Sequence, residues 1–544
     1  MIFEFIFSST KTKSSIKHFI HFLQFYANKR NLDFSDMFEK QKNHYSYSFF
    51  IDTEPQIALD FANDIANRLP MSIDFNFVEI KTHQNLSLKW KKNPIKKIAF
   101  IDVLQTKEIS NENSKTFCDL FDWVKNIQAY GQNITDKISL IEAFKKTASK
   151  LKNAESLFIK TANGVREFSF INKSENIMFW DLSNLSTYMR LQNTQSHLLA
   201  SYEKPMTKLC PKEVFVPSLL QDKNVEINTI LADDLFLSTL GIFVLKMDMG
   251  YVFFKNHPKS KNYDLSYEHY PLVKKQDITI SESGFLINKT IKKDSKNIFN
   301  IISKHFDEKD LPPPRPKKNT PLNNHQKLII FLSKNHPTNI LIKEGISYKT
   351  PLKISFEANP KIIIQKIQND YKNGDKLLKN FNEYFKEILE NIYNLDDIPI
   401  QSQNLMDIFC SASFILGYQS KFDLELNNIL DHAKKFVRDK GPRIDFKLIK
   451  EEEKIKLDYT RIIRSAMSFR IAGLDEATLS YGFIDSMAEF LGNFIRDTST
   501  NFAIKDILIC GDMLGEKIFL DKILHYLPKN INIHLPKDGY IDYL

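Results

Sequence analysis

Apolar residues recur along this chain with two spacings, and the spacings sort its elements. Ile2 to Phe7 reads as a strand, and Ile16 to Tyr26 as a helix whose apolar face is Ile16, Phe19, Ile20, Leu23 and Tyr26. Tyr45 to Ile51 alternates as a strand. Pro55 to Leu69 returns to helical spacing through Ile57, Phe61, Ile65 and Leu69, and Ile73 to Ile80 closes the run as a strand. There is room for one more strand between the helices. This order predicts a small α+β sandwich of the ferredoxin-like kind over residues 1–90.

Residues 95–310 read as a mixed α/β region. Ile98 to Val103 has the pattern of a buried strand, Ile138 to Leu151 that of a helix, and Ser156 to Ile159 that of a strand running into Lys160-Thr-Ala-Asn163-Gly164. The most apolar segment, Ile230 to Phe254, is interrupted by Asp233, Asp234, Lys246 and Asp248. It is therefore read as two buried strands or a helix and a strand, not a membrane span. Prolines 312, 313, 314 and 316 make residues 311–320 an extended linker, because proline lacks the amide hydrogen that helix and central strand need. In residues 321–544 the clearest helices are Met406 to Leu416 and Leu479 to Ile495. The latter carries Leu479, Phe483, Ile484, Met487, Phe490, Leu491, Phe494 and Ile495 on one core-facing stripe. The end of the chain reads as strand (Asp506 to Cys510), Gly-Asp turn, amphipathic helix (Phe519, Leu520, Ile523, Leu524, Leu527), short strand (Ile531, Ile533) and acidic Gly turn (Pro536 to Gly539).

A chain of 544 residues calls for two to four domains, and 42% hydrophobic residues with 12% aromatics is enough for packed cores. The net charge of +9 is spread along the chain, so it is read as compositional background rather than a nucleic-acid footprint. Cys118, Cys210, Cys410 and Cys510 lie far apart, with neither zinc-ligand spacing nor a disulfide framework. Met1-Ile-Phe-Glu4 lacks the basic start of a signal peptide. A reducing, cytoplasmic setting is the expectation.

The candidate chemistry concentrates at the C-terminal end. Gly511, where a strand meets a helix, leaves room for backbone N–H groups to face a nucleotide or phosphate. Asp538, in a later Gly turn, has the chemistry to hold a cation or a sugar hydroxyl. The layout resembles the end of an actin/sugar-kinase-type nucleotide-binding domain.

Taken in order, the three parts resemble the HypF-type carbamoyltransferase family of [NiFe]-hydrogenase maturation. The resemblance implies an acylphosphatase-like domain over 1–90, a threonylcarbamoyl-adenylate synthase-like domain over 95–310, and a truncated carbamoyltransferase-like domain of actin-type (ASKHA) fold over 321–544. Leu157 to Val165 resembles the family's strand and Lys-Gly-x-Gly-Gly turn. Ser196 to Met206 resembles its segment ending in Arg-Pro-Ile, and Tyr270 to Asp277 resembles a later block of the same kind. Phe422-Asp423-Leu424-Glu425 resembles the Tyr-Glu-Gly-Gln block that would sit near a ribose, and Phe483-Ile484 occupies the place of a Phe-His pair. Gly511-Asp512 and Pro536-Lys-Asp538-Gly539 resemble two glycine turns of the family. The candidate nucleotide contacts implied are Lys160, Asn163, Gly164, Asp423, Glu425, Gly511, Asp512 and Asp538.

The departures define the functional expectation. The loop Ser8 to Ser15 has neither the glycine nor the arginine of an acylphosphatase phosphate cradle. Paired Cys-x-x-Cys zinc modules are absent from the sequence, no two of the 13 histidines are four apart, and no Asp-Gly-x-Gly phosphate loop occurs. His18 and His21, the closest pair, fall on a helix of the first domain and are read as surface or core edge. The expected protein is thus a catalytically degenerate accessory factor with no catalytic residue, no metal and no zinc, and at most residual ATP or AMP binding. Its expected partners are hydrogenase subunits or other hydrogenase maturation proteins. One alternative is an active ATP-dependent carbamoyltransferase making the hydrogenase cyanide-ligand precursor. A second is an RNA-binding protein related to tRNA threonylcarbamoylation.

Overall fold

The computed structural model describes residues 1–9, 13, 16–41, 45–69, 71–91, 120–161, 163–221, 224–257, 262–269, 277–282, 284, 286–288, 326–345, 347–424, 428–438, 440–451 and 454–535. The strand expected at Ile98–Val103, the linker at 311–320, the Tyr270–Val273 block and the turn at 536–539 lie outside them. The chain divides into two compact units, Met1–Asp277 and Ile278–Leu544.

The first unit begins with four strands, β1 (Ile2–Ser9), β2 (Phe34–Lys40), β3 (Tyr45–Asp52) and β4 (Phe75–His83), in the order β2-β3-β1-β4 with every pair antiparallel. Helices Lys17–Lys29 and Pro55–Arg68 connect β1 to β2 and β3 to β4. Strand β2 fills the space that the spacing leaves between the helices. Pro55 opens its helix at a position where a missing N–H costs nothing. The helices bury Phe19, Leu23, Phe61 and Ile65 against Phe5, Phe7 and Phe49 of the sheet. Phe61 meets Phe5 edge-on at 5.2 Å and stacks on Phe49 at 5.8 Å.

A nine-stranded mixed sheet follows. It holds β5 (Val124–Ala129), β6 (Gln132–Asn133), β7 (Leu157–Thr161), β8 (Gly164–Ser169), β9 (Asn176–Phe179), β10 (Thr207–Leu209), β11 (Ile227–Leu231), β12 (Tyr251–Asn256) and β13 (Leu265–His269). Their order is β10-β11-β9-β12-β8-β7-β13-β5-β6, with β11–β9 and β13–β7 parallel. Helices Lys137–Lys152 and Leu235–Leu245 share its core, where Phe144 meets Phe236 edge-on at 5.0 Å. The apolar segment 230–254 thus becomes strand, buried helix and strand. Its two aspartates mark the helix start, with Asp234 Oδ1 accepting the Leu237 N–H at 2.8 Å. No helix among the described residues is long and apolar enough to cross a membrane. Residues 201–204 anchor the small sandwich to this sheet. The Tyr202 N–H donates to Met71 O at 2.8 Å, and buried Glu203 accepts from the Ser72 hydroxyl and, at 3.2 Å, from the Ile73 N–H.

The second unit is built on a five-stranded sheet whose central strand is β16 (Lys327–Phe331). Before it come the hairpin strands β14 (Ile278–Ile280) and β15 (Leu286–Asn288). After it come β17 (Asn339–Glu344), β18 (Ser347–Lys349), the antiparallel pair β19 (Phe356–Glu357) and β20 (Gln401–Ser402), the hairpin strands β21 (Leu448–Glu451) and β22 (Lys454–Leu457), then β23 (Asp506–Cys510) and β24 (Asn532–His534). The sheet order is β18-β17-β16-β23-β24, parallel at β16–β23 and β23–β24. Helix Glu476–Asn501 buries Leu479, Phe483, Ile484, Met487, Leu491 and Ile495, as its spacing predicts, while Phe490 and Phe494 are partly buried beside them. The expected helix at 406–416 runs Asp407–Ile415.

Phe61→Ala should destabilise the intact chain in urea unfolding by about 3–5 kcal/mol, because it removes a fully buried ring from between two others. Ile57→Ala on the same helix, 40% exposed, should stay within about 0.5 kcal/mol.

Candidate functional site

In the first unit the segment Lys160 to Gly164 forms the turn of a tight antiparallel hairpin. Thr161 pairs with Gly164, and its hydroxyl donates to Gly164 O at 2.9 Å while accepting the Asn163 N–H at 3.1 Å. Gly164 has φ +108°, a conformation that L side chains rarely adopt. Lys160 is exposed, with its ammonium 5.6 Å from the Tyr263 ring centre. Asn163 turns the other way and donates to Asp233 Oδ2 at 3.1 Å.

That aspartate is the centre of the arrangement. Arg166, two residues beyond the turn, donates to both its oxygens at 2.9 and 2.7 Å, and the two side chains are 1% and 4% exposed. The guanidinium also lies 5.0 Å from the Phe254 ring centre. Burial opposes its charge, but the Asp233 carboxylate and its hydrogen bonds outweigh burial and raise the guanidinium pKa. Tyr267 donates its hydroxyl to Asp234 Oδ2 at 2.5 Å, and burial, then the Asp234 charge, pushes that phenol well above its usual range. The structure thus joins Asn163 to Arg166 and Asp233 and leaves Lys160 on the solvent side. Arg166 escaped the sequence reading although a local signal exists. It occupies an inward position of an alternating strand together with Phe168, and an inward arginine requires a buried acid.

In the second unit the Gly511-Asp512 turn lies against the turn that follows β16. Gly511 has φ +106°, and a Cβ there would stand 1.9 Å from Leu332 O, so only glycine fits. Leu332 donates its N–H to Cys510 O at 2.9 Å, and its own carbonyl accepts the Met513 N–H at 3.3 Å. Asp512 Oδ1 accepts the Lys334 N–H at 2.8 Å, and Asn404 Nδ2 donates to Lys334 O at 2.8 Å. The Lys334 ammonium bonds Glu516 at the start of helix Lys517–Tyr526, and Lys434 reaches the other oxygen of that carboxylate at 2.9 Å. Glu516 and Lys434 are 12% and 11% exposed, and Lys334 38%. Burial pushes the Glu516 carboxyl up, but Lys434 and then Lys334 outweigh it and hold the group far below the usual glutamate range. Two lysines, a helix N-terminus and a glycine turn are the parts of an anion cradle, and here the anion is the chain's own carboxylate.

Asp423 lies elsewhere in this unit. Burial pushes the Cys410 thiol up to about 12, with the Asp407 and Asp423 charges adding to it, so this cysteine is unreactive. Its Sγ contacts Met406 O at 3.7 Å and Leu424 O at 3.2 Å. Glu425 and Asp538 lie outside the described residues. Among those described, no group of three or more His, Cys, Asp or Glu could hold a metal ion.

Two sheet-centred units and two closed polar clusters define a multidomain α+β protein, and known proteins share that architecture. Full-length HypF in its phosphate- and nucleotide-bound form matches with a TM-score of 0.53 at 12% identity, over 99% of this chain and 96% of that one. HypF of T. kodakarensis matches with a TM-score of 0.60 at 10% identity, over 100% and 96%. In sequence, protein HydE of Wolinella succinogenes is 28% identical over 523 residues, covering 92% of this chain and 93% of HydE. No family model matches. The chain has the HypF fold along its length and is similar in sequence to HydE.

Glu516→Gln should cost about 3 kcal/mol in urea unfolding at neutral pH, since it leaves two lysines facing a neutral amide. A carboxyl whose pKa is depressed by folding stabilises fully above its ordinary pKa and loses that contribution as pH falls. The gap between wild type and variant should therefore shrink below about pH 4.3. Arg166→Met alone should destabilise by about 3–5 kcal/mol, because Asp233 is left buried without its counter-charge. Adding Asp233→Leu should recover much of that loss, and a double-mutant cycle in urea measures both.

Proposed function

We propose that this protein is an accessory or assembly factor in [NiFe]-hydrogenase maturation that does not itself transfer a carbamoyl group. The observation that carries the pathway is likeness over the whole chain, in fold to HypF and in sequence to HydE. Fold alone does not carry chemistry, so the catalytic part of the reading rests on the site. There the turn best placed to meet a nucleotide is bonded to its own chain through Asp512, and its cationic neighbours are neutralised by Glu516. Residues 1–90, 95–310 and 321–544 are assigned to acylphosphatase-like, threonylcarbamoyl-adenylate synthase-like and truncated carbamoyltransferase-like domains. The partners on this reading are hydrogenase subunits or other maturation proteins, in the cytoplasm.

A second reading, residual nucleotide binding, is favoured by one observation: a HypF with this fold was crystallised with phosphate and nucleotide bound. Lys334 and Lys434 are the cations that would meet a phosphate if Glu516 withdrew. Titration calorimetry of the intact chain with ATP should give no binding heat at millimolar nucleotide; saturable binding would establish the second reading in place of a nucleotide-free protein. Deleting the gene in its host should abolish or sharply reduce [NiFe]-hydrogenase activity and subunit processing, and Glu516→Ala should still complement the deletion. Normal hydrogenase in the deletion strain would remove the maturation role altogether.

A further inference from the structure

Strand β4 is an edge strand that exposes three large apolar side chains beside one pair of opposite charges. It lies at the end of the order β2-β3-β1-β4 and, among the described strands, pairs only with β1. It is nine residues long, contains no proline, and is exposed from Asn76 to Thr82, with Phe77, Val78 and Ile80 at 53%, 53% and 44%. A long apolar edge with unpaired N–H and C=O groups is a template for another strand. The opposite edge is treated differently. Phe34 of β2 exchanges both backbone hydrogen bonds with Lys91, at 3.2 and 2.7 Å, and Asp36 holds Lys13 and Lys91 across it.

We propose that β4 pairs with β4 of a second copy of this chain, antiparallel about a two-fold axis through Ile80. The charge pattern selects both the occupant and the register. Only when Ile80 faces the partner's Ile80 does Glu79 stand opposite the partner's Lys81, and by symmetry Lys81 opposite the partner's Glu79. In the single chain these two pair with each other along the strand at 2.9 Å, both about half exposed, so both are available to a facing strand. The register irregularity at Val78 divides the faces. It puts Phe77 opposite Phe7 and Ile80 opposite Phe5, on the same side of the sheet, while Glu79 and Lys81, opposite Ile6 and Glu4, share the other face. Joining two copies makes one eight-stranded sheet and leaves neither β4 edge open.

The test is the mass of the intact chain in solution by sedimentation equilibrium. A dimer is expected at micromolar concentration. Lys81→Glu sets four carboxylates side by side and should raise the dimer dissociation constant at least about tenfold, with the circular dichroism spectrum unchanged. Adding Glu79→Lys restores opposite charges in the same register and should restore the dimer. Ile80→Cys should form a symmetric cross-link under mild oxidation that wild type does not form, because facing residues of an antiparallel pair stand about 4.5–5.5 Å apart at Cα, within disulfide reach. A monomer at tens of micromolar, a dimer indifferent to Lys81→Glu, or a loss that the double swap does not repair would each overturn the proposal.

Discussion

Pairing of β16 with β23 joins positions 327–331 to positions 506–510, and the polar end of the second unit follows from that register. Cys510 lies beside Ile330 although the two are 180 positions apart in the chain. Once these strands run parallel and in step, the turns that leave them must pass within contact of each other. Gly511 is the accommodation: a backbone with no Cβ, at positive φ, pressed against Leu332 O. Asp512, Lys334 and Glu516 then fall within bonding distance, and Lys434 closes the group from helix Asn428–Lys435.

The first unit solves a similar problem with one buried ion pair. Arg166 and Asp233 come from a strand and from the loop before a helix, both nearly inaccessible to water. A bidentate guanidinium–carboxylate pair is the arrangement best able to repay the desolvation of both ions, and Asn163 supplies a third donor to the same carboxylate. The hairpin turn, the strand and the helix start are thereby tied to one point.

Both clusters have one logic. Groups whose types suit the binding of an anion or a nucleotide are present, and each has found its counter-charge within the chain. Glu516 lies between two lysines, and Asp233 accepts both donors of an arginine. The chain keeps the fold of the HypF structures it resembles, with these ion pairs closed inside it.

The elements themselves were legible in the chain. The helical spacing of Phe19, Leu23 and Tyr26 and of Leu479, Phe483 and Leu491, the alternation of Tyr45 to Ile51, and the run from Asp506 to Leu527 gave strands and helices to within a few residues, because burial of one face imposes its period on the sequence. Asp512 and Asn163 stand out in the sequence as polar residues in turns. What they bond to was not legible. Lys334 and Glu516 are 182 positions apart and Arg166 and Asp233 are 67 apart, and no local pattern relates such pairs. Sequence by itself determined which faces are buried and where the chain turns. Only tertiary structure decided which charges meet, because charge pairing depends on distances that strand register sets, and register is fixed by the whole sheet.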